Sequence, residues 1–342
     1  MPSHQDFILP GIRADPTNAR LQALIVLATF AYSRQWNRRR LESHWYGLWN
    51  QILSDLIFDF APNLFLVPQH TIYVSKNQTP GPDLSLRTVA EGAANERIPD
   101  FVVLVAVPRL RNGGSVQNPI FPSSYSSWKT MQLMACFPAM IVQLKRSPPR
   151  SLLKDDDFLD FLESYIDAAA YEADDSAALA FGDEKNQGLK KIVLIAVSGE
   201  WWKFKIGSRE HYEDKISLFP GLEDEEEEEK KKKRGRAKQK GKGKLLPKVT
   251  TIERHEDHGP LMVKPKSDVN QAKPKPGQWS KFILFGTPAS NQQLYLIHEL
   301  LKNIQRDLID EIGRQADNIS VESSDEDELA SYEIASESEQ DE

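Results

Sequence analysis

IPDFVVLVAV at residues 98–107 and MIVQLK at residues 140–145 decide the architecture of this chain. The first run is apolar throughout after Asp100 and rich in valine, the pattern of a strand covered on both faces. The second ends in Gln143, Leu144 and Lys145, and Pro148 and Pro149 stop it soon afterwards. Strand side chains repeat every second residue, so Gln143 and Lys145 share a face. Asp100 opens one predicted strand where Lys145 closes another, and their polar groups are expected to converge on one point.

Working outward, KIVLIAVSG at residues 191–199 reads as a third buried strand, and EWWKFKIG at 200–207 as an alternating edge or hairpin partner. Between the second and third strands, Phe158, Phe161, Leu162, Tyr165, Ala169 and Ala173 recur at helical spacing and predict a helix over 155–181. Ahead of the first strand, Leu41, Trp45, Leu48, Trp49, Ile52, Leu53 and Leu56 form a wide apolar stripe on another helix. Asp15 and Pro16 supply a start for an earlier helix, largely buried through Leu21, Leu24, Ile25, Ala28 and Phe30. LFLVP near Leu64 and HTIYVS near Ile72 are short β-type runs, while residues 77–85 and 109–119 read as loops. WSKFILFGT at 279–287 predicts a last strand, followed by a helix that Ser290 caps and Gly313 ends. Alternating strands and helices place the chain in the α/β class.

Charge is distributed unevenly. The 342 residues sum to −7, yet residues 316–342 hold eleven acids and no Lys or Arg, so the remainder is close to neutral. Seven consecutive acids at 223–229 run directly into ten basic residues within 230–244, and such blocks bury no apolar surface. The expected organisation is a flexible N-terminus (1–16), a core (17–220), a disordered acidic and basic insertion (221–278), the last strand and helix of the same core (279–315), and a disordered acidic tail (316–342). A single cysteine, Cys136, excludes an intrachain disulfide and a multi-cysteine zinc cluster, and points to a reducing compartment. The longest early apolar run, from Leu21, is too short to span a bilayer, and no membrane partner is expected.

The chemistry suited to this polar constellation is metal-assisted phosphodiester cleavage. Such a reaction needs a Lewis acid on the nonbridging oxygens and a water of lowered pKa. Hard oxygen ligands suit Mg or Mn, and a lysine beside them holds the nucleophilic water or steadies developing negative charge. Pro99-Asp100 opening one strand and Gln143-Leu144-Lys145 closing another, with a helix before and a helix plus strand after, resemble the PD-(D/E)XK, or restriction-endonuclease-like, nuclease superfamily. Fungal proteins with a Gln-x-Lys form of the motif look similar, including the SGEWW run at residues 198–202. The resemblance implies a mixed central sheet flanked by helices. It also implies Asp100 as main metal ligand, Gln143 in the second ligand position, Lys145 as catalytic lysine, and a helical glutamate completing the metal site. Glu42 is the candidate for the last, with Glu91 and Glu96 as alternatives. Gln143 departs from the pattern: its amide oxygen coordinates a cation without formal charge. A catalytically degenerate binding scaffold of the same fold is therefore the alternative expectation.

Arg146 and Arg150 beside the lysine fit a surface patch or nucleic-acid contacts. Trp45, Trp49, Trp201 and Trp202 read as packing residues more readily than as base-stacking platforms. His255 and His258 have a helical metal spacing but no further ligands nearby. The basic run 230–244 reads as a nuclear import signal, with a cytoplasmic location otherwise and nucleic-acid contact as a further role. The acidic tail, with Ser323 and Ser324 ahead of acids, suits basic nuclear proteins as partners.

Overall fold

The computed structural model describes residues 6–74, 95–111, 115–117, 119–148, 155–216, 274 and 277–318. The basic run 230–244, the tail beyond 318, most of the insertion, His255, His258, Glu91 and Arg150 lie outside them. The molecule is a mixed α/β structure with a mixed central sheet flanked by helices.

Helix α1 (Pro10–Arg13), α2 (Ala19–Tyr32) and α3 (Ser43–Leu56) precede strand β1 (Leu64–Pro68) and a small hairpin of β2 (Ile72–Val74) with β3 (Asn95–Arg97). Next come β4 (Phe101–Leu110), β5 (Met131–Lys145), α4 (Asp155–Gly182), β6 (Lys191–Ser198), β7 (Trp201–Ser208) and α5 (Glu213–Ile216). The described chain ends with β8 (Ile283–Leu284) and α6 (Pro288–Asn318). Six strands form the main sheet in the order β1-β4-β5-β6-β7-β8. All neighbours are antiparallel except β5 and β6, which run parallel and are joined by the α4 crossover. β4 is buried along eight residues and β6 along seven, so both faces of the sheet are covered. The covering helices in contact with these strands are α4 and α6.

The stripe predicted for α3 is buried from Trp45 on, since Trp45, Leu48, Trp49, Ile52, Leu53 and Leu56 all enter the core, but Leu41 lies before the helix and is exposed. Trp201 and Trp202 are buried as well. Several expectations are corrected. α2 begins at Ala19, and it buries only Leu24 and Ala31, while Leu21, Ile25 and Phe30 are exposed. This helix is apolar on every side but packs mainly on α3 at the periphery, which leaves one side open. Asp15 does serve the chain entry, accepting from the Thr17 hydroxyl (2.6 Å) and the Arg20 N–H (2.8 Å), and these donors hold its carboxyl down at about 2. The N-terminal lead-in carries the turn α1, with Leu9 in the core.

β7 is the hairpin partner of β6, as expected, but it is neither an edge nor alternating. Lys203 and Lys205 are buried because Asp167 (2.6 Å) and Asp174 (2.7 Å) of α4 neutralise them, so the apparent polar face is an inner one. β8 is only two residues long, paired to Trp201 and Trp202. α6 is capped three residues before the expected Ser290: the Thr287 hydroxyl accepts the Ser290 N–H (3.2 Å), and the helix runs on through Gly313. Cys136 is exposed on β5.

Gly199, in the turn between β6 and β7, requires its lack of a side chain. Its φ is +64°, and an added Cβ would stand 2.6 Å from the Cβ of Ser147. Its N–H donates to the Lys145 carbonyl (3.2 Å), and its own carbonyl accepts the Trp49 indole N–H (2.8 Å).

Helices α2 and α3 are tied together by a charge. Asp55 of α3 is fully buried and is paired with Arg20 of α2, with Gln51 donating to its other oxygen (3.0 Å). Removing one partner of a buried pair strands the other charge. Arg20→Ala is therefore expected to cost about 3 kcal/mol, the lower end of that range because the arginine is partly in water. Urea denaturation reads this, and a loss well under 1 kcal/mol would show Asp55 to be satisfied without Arg20.

Candidate functional site

The β4–β5 ladder ends at the pair Phe101 and Val142. The next donor on β5, the Leu144 N–H, has no strand opposite it, and the Asp100 carboxylate accepts it instead at 2.6 Å. The other oxygen of Asp100 accepts the Tyr46 hydroxyl from α3 at 2.5 Å. Two donors from two elements thus fix the carboxylate at the tip of the sheet.

Glu42 stands immediately before α3, one turn from Tyr46, whose hydroxyl lies 3.4 Å from its carboxylate. Gln143, nearly buried, and Lys145 sit two residues apart on β5, where they pair with Ala196 and Ser198 of β6. The Lys145 ammonium donates to Glu172 of α4 at 2.5 Å. Lys145 and Glu172 both act on the carboxyl groups of Asp100 and Glu42. Burial raises the carboxyl pKa of Asp100, opposed by its Tyr46 and Leu144 donors and by Lys145. Burial raises Glu42 as well, and the nearby Asp100 charge pushes it further up while Lys145 pulls it down. The Tyr46 phenol is pushed up strongly by burial and by its bond to Asp100, so it stays a proton donor.

The structure therefore brings the charges of Asp100, Glu42 and Lys145 within reach of one another, while Gln143 is buried two residues before Lys145 on β5. Glu96 lies in β3 and is not among the groups that shift Asp100 or Glu42. Arg146 turns to Tyr165, donating to its hydroxyl at 3.0 Å with its guanidinium 5.1 Å from the ring centre.

Two members were missed from the sequence, Tyr46 and Glu172. Glu172 was legible in principle, because a lysine at the end of a buried strand needs an anion beside it, and the long helix directly after that strand carries several. Tyr46 was hidden within an aromatic stripe that reads as core.

As a cation site the residues fit in kind. Asp100, Glu42 and the amide oxygen of Gln143 are hard oxygen donors, and two carboxylates raised by burial, one of them further by its neighbour's charge, gain from a positive ion. They do not form a dense acidic cage: among the described residues, no three His, Cys, Asp or Glu side chains form a metal-holding group. Compared with models of known protein families and with curated proteins, the chain matches none. No helix among the described residues is long and apolar enough to cross a membrane.

The raised Glu42 carboxyl has a consequence for stability. The folded state holds that proton more tightly than the unfolded chain does, so stability is lost as pH rises from the ordinary carboxylate range through the folded value. Glu42→Gln removes the titration. It is expected to melt higher than wild type at neutral pH, with the difference vanishing below about pH 4. Melting curves across pH check this, and a constant offset at all pH values would show that burial of the charge is not the cause.

Proposed function

We propose that the protein is a nuclease-like member of the restriction-endonuclease-like architecture, with a site for phosphodiester hydrolysis on DNA or RNA. The observation that supports this is the electrostatic nearness of Asp100, just before β4, to Lys145, at the end of β5, and to Glu42, at the entry of α3, with Gln143 two residues before Lys145 on the same strand. The element order agrees: a helix, the strands bearing the motif, then the α4 helix and a strand parallel to β5. Asp100, Glu42 and Gln143 would hold a magnesium or manganese ion, which when bound supplies charge neutralisation at phosphorus and a more acidic water.

The chain's own residues account for the rest. The Leu144 N–H and Tyr46 hydroxyl hold Asp100 in one orientation, leaving lone pairs on both oxygens for a ligand. Lys145 carries the positive charge that faces developing negative charge on the phosphoryl oxygens or orients the attacking water. It must first loosen from Glu172, which lies 2.5 Å away. Gln143 orients without adding charge.

A second reading has its own support. With Lys145 engaged by Glu172 and Gln143 uncharged, the same pocket suits a catalytically silent protein that binds nucleic acid or basic nuclear proteins through its charged segments. The run 230–244 would direct either form to the nucleus.

Purified protein incubated with plasmid and single-stranded substrates plus magnesium or manganese separates the two. Cleavage is expected to disappear in Asp100→Ala and to fall on the order of 100-fold in Lys145→Ala. Equal cleavage by wild type and both variants would mark a contaminant and end the enzymatic reading. Gln143→Glu is expected to tighten magnesium binding at least about tenfold by calorimetry, since it adds a charge at the ligand position. No gain would remove Gln143 from the ligand set.

A further inference from the structure

Residues 33–41, SRQWNRRRL, join α2 to α3 and contain four arginines and no acid. The loop is fastened from within. Asn37 is buried, donates to the carbonyls of Ala31 (2.9 Å) and Leu41 (3.4 Å), and accepts the Leu41 N–H (2.8 Å). The Ser33 hydroxyl accepts the N–H groups of Gln35 (3.2 Å) and Trp36 (3.1 Å). Arg40 sits at φ +54°, a left-handed conformation that a residue with a side chain adopts only when its surroundings hold it there.

This loop walls a cavity of about 490 Å³, with Arg34, Arg38 and Arg40 on one side and Trp45, Ser147 and Pro148 on the other. No acidic residue lines it. Among the described residues, Arg34 and Arg38 are exposed and make no ion pair. The far wall comes from the two elements that build the candidate site. Trp45 adjoins Tyr46 on α3, and Ser147 is two residues beyond Lys145.

The charges of Arg34 and Arg38, set in a concave wall, draw anions, and the guanidinium fork suits phosphate and carboxylate alike. Two features favour phosphate on a strand. Two residues of the cavity's far wall, Trp45 and Ser147, stand within two chain positions of Tyr46 and Lys145, and Trp36 on the loop is 68% exposed. An open indole among arginines offers a face for a base, which only an unpaired base can use.

We infer that the α2–α3 loop is a strand-holding site for single-stranded nucleic acid, taking backbone phosphates at Arg34 and Arg38 and an unpaired base at Trp36. This rests on the phosphodiester reading of the neighbouring pocket. Phosphate contacts here would hold a strand whose continuation passes Lys145.

The test is fluorescence anisotropy of a labelled single-stranded oligothymidine with the full-length protein in EDTA, where cleavage plays no part. The Arg34→Gln/Arg38→Gln variant is expected to bind at least about tenfold more weakly and with a shallower dependence on salt. Trp36→Ala is expected to lose about tenfold on the single strand and nothing on a duplex of the same length. Arg306→Gln/Arg314→Gln removes the same charge on α6 and is expected to bind as wild type. Unchanged melting temperatures establish that the variants are folded.

Equal binding by wild type and the Arg34/Arg38 variant overturns the site. So does displacement of the oligonucleotide by polyglutamate at matched charge, which would mark an acidic-peptide surface, or by inorganic phosphate at matched phosphate, which would mark a free-anion pocket. Binding without cleavage sinks the nuclease reading alone. Cleavage with binding indifferent to Arg34 and Arg38 sinks this inference alone.

Discussion

The hydrogen bond from the Leu144 N–H to the Asp100 carboxylate orders everything around it. Where β4 stops pairing with β5, a main-chain donor would be left at the tip of the sheet, and the side chain of Asp100 replaces the missing strand. An unpaired donor in a partly buried place is costly, so this position needs an acceptor whatever the protein does. The same carboxylate then draws in Tyr46 and with it the first turn of α3. Asp100 is consequently both a structural acceptor and the head of the candidate site.

Helix α4 neutralises the sheet along its length. Asp167, Glu172 and Asp174 accept Lys203, Lys145 and Lys205 in turn, three lysines from two strands. The pairs differ in their surroundings. Lys203 lies 5.4 Å from the Trp279 ring centre and Lys205 5.1 Å from that of Tyr212, which adds aromatic faces to already buried ammonium groups. Lys145 has no such aromatic cover and stands beside a second carboxylate, Asp100. Two of these lysines are fixtures of packing, and the third is placed where its charge acts on other groups.

The strands at 101–107 and 140–145, the helix over 155–181 and the stripe on α3 were legible because each buries a continuous or strictly periodic apolar set. The elements misread share a different physics. β7 places two lysines on an inner face, and a pattern of polar and apolar residues cannot show that a helix on another stretch of chain supplies their counter-charges. α2 is apolar on all sides, and its sequence contains nothing to say that only one side is covered. Within the site, Asp100, Gln143 and Lys145 were visible from strand ends, whereas Tyr46 and Glu172 join only through contacts spanning 54 and 27 residues of chain.

The turn within SGEWW, residues 198–202, is built around Gly199. Three separate pieces of backbone and side chain, the β5 tip at Lys145, the flank of Ser147 and the indole of Trp49, close on that one α-carbon. Even an alanine there would force Ser147 aside and carry the end of β5 with it, shifting the lysine two residues upstream. A remote turn with no chemistry of its own thereby sets the tolerance of the pocket. Sequence drift around Asp100 and Lys145 is free to proceed only as long as this hinge-sized vacancy stays empty.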